Sequence, residues 1–454
     1  MPGLQPTITV APAHATTRAI PVRTWLDALR ERWRFAENVA TLSIGTAVAQ
    51  AVSLAAAPII TRLYTPAEIG VVGLFTSFLS VAAVATSLKY ELGIISAADD
   101  VEAAQLTWAS VMFCLPATLV CTALMFAAIH FGWLGFDQLP LYAIWIFIPT
   151  LALTGIYTAL RYWSIRDQRF ALVSGTFVAQ HASRSVVQTG LGIASAGTGG
   201  LLLGEGVGRA LSAAALLRRE WKSVRRWRGQ SSPGALREAL RRHRELPQYS
   251  LVSSLIDTLA ANLTIPLLIA LYGAHAGGEY GLVLKVLSVP VALIASSVAD
   301  AFHSRLAICT RETPDQALSL FLRTAAGLFL LALGPAAILA FGGEKLFGLV
   351  FGGQWATAGF LAAISVPWFV SQFVVAPISR VVFVLRGQES KLIYDIVLLV
   401  SIFAAYEVAR VQHFSMVETV WAFTLVNTAA YVLYFFVLLH IVRKSVRLVT
   451  DIAF

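Results

Sequence analysis

The sequence predicts an all-α integral membrane protein: twelve transmembrane helices in two six-helix lobes around a central cavity, with both termini cytoplasmic. Three observations carry this expectation. Apolar residues make up 57% of the 454-residue chain and charged residues 13%, at a mean hydropathy of +0.72. So few charges cannot cover that much apolar surface in water, so the solvent for most of the chain is lipid. Runs of roughly 20 mostly apolar residues, the length that crosses a bilayer, fall at about 39–60, 68–88, 104–129, 141–160, 171–196, 199–217, 249–272, 281–302, 318–341, 357–379, 392–409 and 416–441. The basic residues are also sorted by side. With both ends inside, 28 of the 34 Lys and Arg lie in the cytoplasmic arm, loops and tail, and Arg62, Lys345 and Arg410 lie on the other side, as the positive-inside rule requires. One helix miscounted near the N-terminus would destroy that split.

Residues 1–38 read as a cytoplasmic N-terminal arm. Its last stretch, TWLDALRERWRF, sets Trp25, Leu26, Leu29 and Trp33 at helical spacing opposite Arg23, Arg30 and Arg34. That is the pattern of an interfacial helix leading into the membrane. No apolar core and cleavage site follow its basic start, so it does not read as a signal peptide. Residues 39–217 form the N-terminal six-helix lobe, with only Ala196-Gly197-Thr198-Gly199-Gly200 marking the turn between its fifth and sixth spans. Residues 218–248 are a basic cytoplasmic linker carrying ten Lys/Arg, and PGALREALRRHREL within it is amphipathic as a helix. It is either a solvated linker that fixes topology or a surface for lipid headgroups or a partner. Residues 249–441 form the C-terminal six-helix lobe, and 442–454 a cytoplasmic tail.

Composition also removes some functions. The net charge of +9 would suit nucleic acid, but the basic residues punctuate hydrophobic runs instead of forming one face, so no nucleic acid partner is expected. No CxxC, HExxH or Gly-Lys-Thr phosphate loop is present, so neither a metal site nor a bound cofactor is expected. Cys114 and Cys121 lie two turns apart on one predicted helix, about 10 Å, too far to bridge.

The chain is organised around residues 56–95. One apolar helix ends at Arg62, a tight Tyr64-Thr65-Pro66 corner follows, and a second apolar helix runs to Lys89-Tyr90-Glu91. In a bilayer this is a helical hairpin with charges at both rims. The second half carries a short echo. Pro58-x4-Leu63-Tyr64 followed by Glu68-Ile69-Gly70 matches Pro266-x4-Leu271-Tyr272 followed by Glu279-Tyr280-Gly281, with three extra residues after the tyrosine. Six helices per repeat would relate the halves by an axis along the membrane normal, with a cavity between them.

At Arg62-x-Tyr64-x-Pro66-x-Glu68-x-Gly70, with Lys89-Tyr90-Glu91 twenty residues on, the sequence resembles bacterial polysaccharide and O-antigen repeat-unit flippases. These belong to the multidrug/oligosaccharidyl-lipid/polysaccharide exporter superfamily. The resemblance implies two six-helix lobes in a V and alternating access by rocking, in a bacterial inner (cytoplasmic) membrane. It implies translocation of an undecaprenyl-diphosphate-linked oligosaccharide from the cytoplasmic to the periplasmic leaflet, for exopolysaccharide or O-antigen (lipopolysaccharide) export. The sugar and diphosphate would cross the cavity while the polyprenyl tail stays in lipid. The family's lateral opening lies between the first and eighth spans, which here are rich in small residues (Gly45, Ala47, Ala49, Ala51; Ser288, Ser296, Ser297). Coupling to an H+ or Na+ gradient is implied, as are membrane lipid and polysaccharide polymerase and chain-length proteins as partners.

A diphosphate headgroup needs cations facing a wet cavity, because an unpaired charge in lipid is costly. Three basic residues lie deep in predicted spans. Arg184 has Gln180 and Gln188 one turn to either side; it either faces the cavity or is a structural, hydrogen-bonded arginine. Arg209 follows Glu205 at i+4, the favourable order for an intrahelical ion pair. Lys285 is placed near the outer end of its helix, where snorkelling competes with a cavity role. Asp257, near Ser253, Ser254 and Asn262, and Glu205 are the candidate seats of a coupling ion; for Asp257 the competing role is a salt bridge or a helix-end contact. Asp300 precedes His303-Ser304-Arg305 and is read as a helix-end group. Polar stripes on three further helices fit a hydrophilic lumen or plain helix–helix glue: Ser43, Thr46, Gln50 and Ser53; Thr150, Thr154, Tyr157 and Arg161; Trp421, Thr424, Thr428 and Tyr431. Gln50 and Tyr157 are the substrate candidates among them. Arg62 and Glu68 are expected either to pair across the corner or to act in transport.

Two rival functions remain. A membrane-embedded glycan polymerase or ligase would need catalytic groups on sizeable outer loops, but the largest outer loops, about 130–140 and 342–356, hold only Asp137 and Glu344 as acids. The chain is therefore not expected to be an enzyme. A drug/cation antiporter of the same superfamily would favour an acidic cavity, and three deep cations speak for an anionic substrate.

Overall fold

The structure, a computed structural model, describes residues 22–229, 233–291, 294, 296–313, 316–385 and 388–452. Among these residues it is all helical. The first half comprises α1 (Val22–Leu63), α2 (Pro66–Ala85), α3 (Tyr90–Ser96), α4 (Asp100–His130), α5 (Ala143–Arg166), α6 (Phe170–Ile193) and α7 (Gly197–Arg228). The linker holds α8 (Pro233–Arg242). The second half comprises α9 (Leu251–Asn262), α10 (Thr264–Pro290), α11 (Ser296–Glu312), α12 (Gln316–Phe351), α13 (Ala356–Ile364), α14 (Val366–Ile378), α15 (Val381–Val384), α16 (Gln388–Val411) and α17 (Met416–Ile452).

Nine helices among the described residues are long and apolar enough to cross a membrane, and ten if the pair α13–α14, bent by 57°, is one span. α6 is not among them, because its face carries Gln180, His181, Arg184 and Gln188. The predicted spans 249–272 and 281–302 meet in one run, Leu246–Pro290, broken at Gly273 (φ 83°). Residues 274–280 read as a loop from their glycines, but they are helical. Gly278 is there for contact: a Cβ on it would strike the Pro66 carbonyl oxygen, just as a Cβ on Gly70 would strike that of Ala274. The backbones of α2 and α10 touch at this point, which only glycine permits.

The Tyr64–Pro66 corner is built from its own sequence. Pro66 opens α2, where its missing N–H costs nothing. Thr65 and Glu68 form a reciprocal capping box: the Thr65 hydroxyl accepts from the Glu68 N–H, and the Glu68 carboxylate accepts from the Thr65 N–H at 2.8 Å. Arg62 does not pair with Glu68; its guanidinium donates to the Leu349 carbonyl at 3.0 Å. Capping uses the carboxylate at home, so the arginine is free to reach the other half of the chain. At the far end of α2, Leu88 and Lys89 adopt left-handed φ values of 50° and 65°. There Tyr90 stacks on Phe113, and Glu91 accepts from Ser87 beside Lys89.

Helices α1, α4, α5, α6 and α7 pack on one another, while α10 to α17 surround one large apolar cluster that includes Phe321, Phe347, Trp355 and Phe423. The hydrogen bonds joining the halves gather on the corner face. The Gln354 amide donates to the Thr61 and Tyr64 carbonyls (2.7 and 3.2 Å), and Trp355 Nε1 donates to Thr61 O (2.8 Å). From the other half, Gln138 accepts from the Ala274 N–H (2.6 Å) and donates to Ile269 O (3.4 Å).

On the opposite, linker face, α1 is continuous from Val22, without a break before the first span; the faces assigned to Trp25, Leu26, Leu29 and Trp33 lie outside the described side chains, as does Asp300. The linker is not free in solvent. α8 docks on α4 through Arg242–Glu102 (3.1 Å) and His243–Glu102 (3.5 Å), and its Ala239 is buried with Leu106 and Trp163.

Candidate functional site

α7 presents Gly200, Gly204 and Gly208, four residues apart, to α6. A Cβ at Gly208 would lie 2.7 Å from the Gln180 carbonyl oxygen, and one at Gly204 would strike the Gln188 side chain. This stripe of missing side chains draws the two helices together, and charged groups from both then meet. Arg184 Nη1 on α6 lies 3.0 Å from Glu205 Oε1 on α7, and Arg209 Nε lies 4.0 Å from Glu205 Oε2. The intrahelical pair Glu205–Arg209 expected from the sequence therefore exists, but the shorter partner of Glu205 is Arg184.

α1 closes the network. Arg184 Nη2 donates to the Ser53 hydroxyl at 2.9 Å, and that hydroxyl lies 2.7 Å from His181 Nδ1. Arg209 Nη1 donates to Thr154 of α5 at 3.3 Å. The flanking glutamines face the α6–α7 interface. Gln180 accepts from Ser212 at 3.1 Å and Gln188 donates to Leu201 O at 3.0 Å, so they hold the arginine-bearing helix in place.

Lys285, on the second half, lies within electrostatic range of the cluster, with no hydrogen bond or ion pair to it among the described residues. It lies twelve residues past the break at Gly273, where its predicted span had it fifth from the start, and five residues before α10 ends at Pro290. Its charge interacts with Arg184 and Glu205, and it has no carboxylate within ion-pair distance among the described residues. Counted with Lys285, three cations stand near one carboxylate, a formal net charge of +2 from Arg, Lys and Glu. Glu205 is buried, whereas Arg184 and Arg209 keep about a fifth of their side chains exposed (22% and 21%). The Nε atoms of both arginines are buried without a hydrogen-bond partner among the described residues. A positive surplus with spare N–H donors is an anion site in waiting.

The remaining candidates lie elsewhere. Tyr157 is buried, its hydroxyl 3.3 Å from Thr176, in the core that contains Tyr90 and Trp163. Gln50 is half-buried on α1. Tyr64 is a buried strut whose hydroxyl donates to the Gln188 carbonyl at 2.8 Å. In the second half its counterpart Tyr272 donates to the Phe414 carbonyl at 2.7 Å. The corner residues Arg62, Tyr64, Pro66, Glu68 and Gly70, with Tyr90 and Glu91, therefore assemble corners and helix ends, and none of them touches the Arg184 cluster except Tyr64 through the Gln188 backbone. Asp257 meets Lys391 Nζ at 3.1 Å, and Lys391 meets Asp395 at 2.7 Å. His181, Lys391 and Asp395 were not singled out in the sequence. His181 had a signal, one turn from Arg184 on the same face; Lys391 sat at a predicted span boundary and read as a topology charge.

The comparisons fit this architecture. One solved relative in fold is an inward-facing multidrug resistance MATE transporter of the MOP superfamily, with a TM-score of 0.65 at 16% identity, covering 87% of this chain and 95% of that one. A lipid II flippase MurJ in an inward closed conformation gives 0.66 at 12% identity, covering 91% and 92%. An outward-facing MATE transporter gives a lower score, 0.52 at 14% identity, covering 90% and 96%. No curated protein sequence matches. The model of a family described as polysaccharide biosynthesis protein matches residues 59–359, most of the chain and all of the corner and the cationic cluster; this multi-pass membrane protein belongs to that family.

Proposed function

We propose that the protein is a flippase carrying an undecaprenyl-diphosphate-linked oligosaccharide from the cytoplasmic to the periplasmic leaflet of a bacterial inner membrane, for exopolysaccharide or O-antigen export. The observation that carries this reading is the net +2 cluster of Arg184, Arg209, Lys285 and Glu205. A diphosphate esterified at both ends carries two negative charges, one on each phosphorus, and so neutralises the cluster. A drug cation would be repelled by it. The protein folds as twelve spans with cytoplasmic termini, in lobes 39–217 and 249–441 joined by the linker 218–248 and flanked by the arm 1–38 and tail 442–454. The linker face is then cytoplasmic and the corner face periplasmic. The fastening of the halves at the corner face supports an inward-facing state, one that would admit a lipid-linked substrate from the inner leaflet.

Lys285 stands on the second half and Arg184 on the first, so a bound diphosphate bridges the two and favours their closure on the linker side. Glu205 and Asp257, each held by a cation, are the proposed seats of a coupling proton or sodium ion. A polymerase and chain-length protein would take the product on the periplasmic side.

The experiment is leaflet-resolved labelling of lipid-linked glycan in cells with and without the gene. Build-up on the cytoplasmic leaflet after deletion, reversed by wild type and not by Arg184→Ala, is the expected result. Units that reach the periplasmic face normally but stay unpolymerised would replace this reading with a glycan-assembly enzyme.

A further inference from the structure

The second half encloses a cavity of about 340 Å³ that the cationic cluster does not use, within the size range of small-molecule sites. α14, α16 and α17 supply most of its wall: Trp368, Gln372, Tyr394, Asp395, Tyr431 and Tyr434. The break between α13 and α14 lies beside it, because Pro367 removes a backbone N–H just after Ser365. Interrupted helices are where membrane transporters place substrate sites.

Two features of this wall are unusual for a membrane core. Aromatic faces dominate it: Tyr394 stacks on Tyr434 with centroids 4.2 Å apart and lies 5.9 Å from Tyr431. Their polar tips are not all satisfied. Tyr434 is 3% exposed, and neither its hydroxyl nor Trp368 Nε1 has a hydrogen-bond partner among the described residues. Buried donors of this kind are costly unless something completes them. The charged part of the wall is internally matched. The Lys391 ammonium lies between the carboxylates of Asp257 and Asp395, leaving a net charge of −1.

We infer that this cavity is a saccharide subsite that takes an uncharged sugar ring of the lipid-linked glycan while its diphosphate sits on the Arg184 cluster. A pyranose offers an apolar C–H face for the aromatic rings and a rim of hydroxyls. Those hydroxyls can accept from Trp368 Nε1 and Tyr434 and donate to Asp395 and Gln372. A uronic acid would meet the surplus carboxylate and be excluded. The inference rests on the proposed function, and adds to it where in the protein the sugar is read and which sugars are refused.

The test uses the full chain in nanodiscs and four probes: citronellyl diphosphate closed as its methyl diester, so that it carries the same two charges, and the same lipid diphosphate carrying galactose, N-acetylglucosamine or galacturonate. Galactose or N-acetylglucosamine is expected to tighten binding by about tenfold, the worth of one or two added hydrogen bonds, and galacturonate to add nothing. Tyr434→Phe and Trp368→Phe should each erase the gain yet leave citronellyl diphosphate binding unchanged, which also shows that both variants are folded. Arg184→Gln should weaken all four probes. If citronellyl diphosphate binds and responds to Arg184→Gln but neither neutral sugar adds affinity, or if the sugar gain survives both aromatic variants, the subsite is overturned and the flippase reading stands. If citronellyl diphosphate itself does not bind, the flippase reading falls and this inference with it.

Discussion

Gln138 and Gln354 hold opposite halves of the chain in the same way. Gln138, from the first half, clasps the second-half corner at Ile269 and Ala274; Gln354, from the second half, clasps the first-half corner at Thr61 and Tyr64. Each precedes a helix of its own half and each engages backbone groups, so the pair forms two crossed latches over the corner face. Each latch contributes two hydrogen bonds, worth about 1–2 kcal/mol together. Gln138→Ala and Gln354→Ala should each shift the population of corner-face-open protein by roughly fivefold to thirtyfold. Labelling of a cysteine placed at Ser53 by an impermeant thiol reagent added from the corner side would show it as faster modification.

The contact of Gly70 with Ala274, and of Gly278 with Pro66, leaves no room for a side chain. Gly70→Val or Gly278→Val should therefore force α2 and α10 apart and cost about 1–3 kcal/mol of overpacking, read as a lowered unfolding temperature in detergent. An alanine at half-buried Gly342, which meets nothing within contact range, should leave that temperature unchanged.

Arg184 and Glu205 are tied by a 3.0 Å ion pair in a largely buried setting. Arg184→Gln should lower diphosphate binding by tenfold or more, since a hydrogen bond to a charged group contributes about 1.5–3 kcal/mol. Glu205→Gln raises the cluster to +3 and should tighten binding while slowing release, visible as a lower Kd with a lower transport rate. The double variant returns the net charge to +2 but lacks the Arg184 donors, so its diphosphate binding should stay weaker than that of wild type.

Tyr64 and Tyr272 should behave as equivalents. Each donates its hydroxyl to a carbonyl near the end of the helix pair it braces. Tyr64→Phe and Tyr272→Phe should each cost about 1 kcal/mol and leave transport per folded molecule unchanged, as thermal unfolding and flip rate measured on the same preparation would show.

The helical class and most helix positions were legible in the sequence because apolar runs and basic punctuation report directly on lipid. The Tyr64–Pro66 corner was legible too, since Thr65, Pro66 and Glu68 cap locally. What sequence could not rank was the partner of Glu205. Arg209, four residues on, is the local choice, yet Arg184, twenty-one residues back, lies nearer because Gly200, Gly204 and Gly208 let α6 settle against α7. Lys285 stands farther from the turn than its predicted span suggests for a related reason. The glycines at 277 and 278 look like a loop, but they are helical, Gly278 serves the contact with α2, and the helix starts earlier than composition suggests. Lys391 stays out of view because a basic residue at a span boundary reads as topology, and nothing local in the sequence marks its partner Asp395.

The docked linker helix has a mechanical consequence. α8 is fastened to α4 by Arg242–Glu102, and the segment Leu246–Ser250 leans on α3 before α9 begins at Leu251. Fewer than ten residues separate α8 from α9, a leash of about 30 Å even when fully drawn out, and much of it is already coiled. The linker thus ties the two halves together on the edge where α9 meets α2. Any parting of the halves on the linker side is limited by the length of this leash.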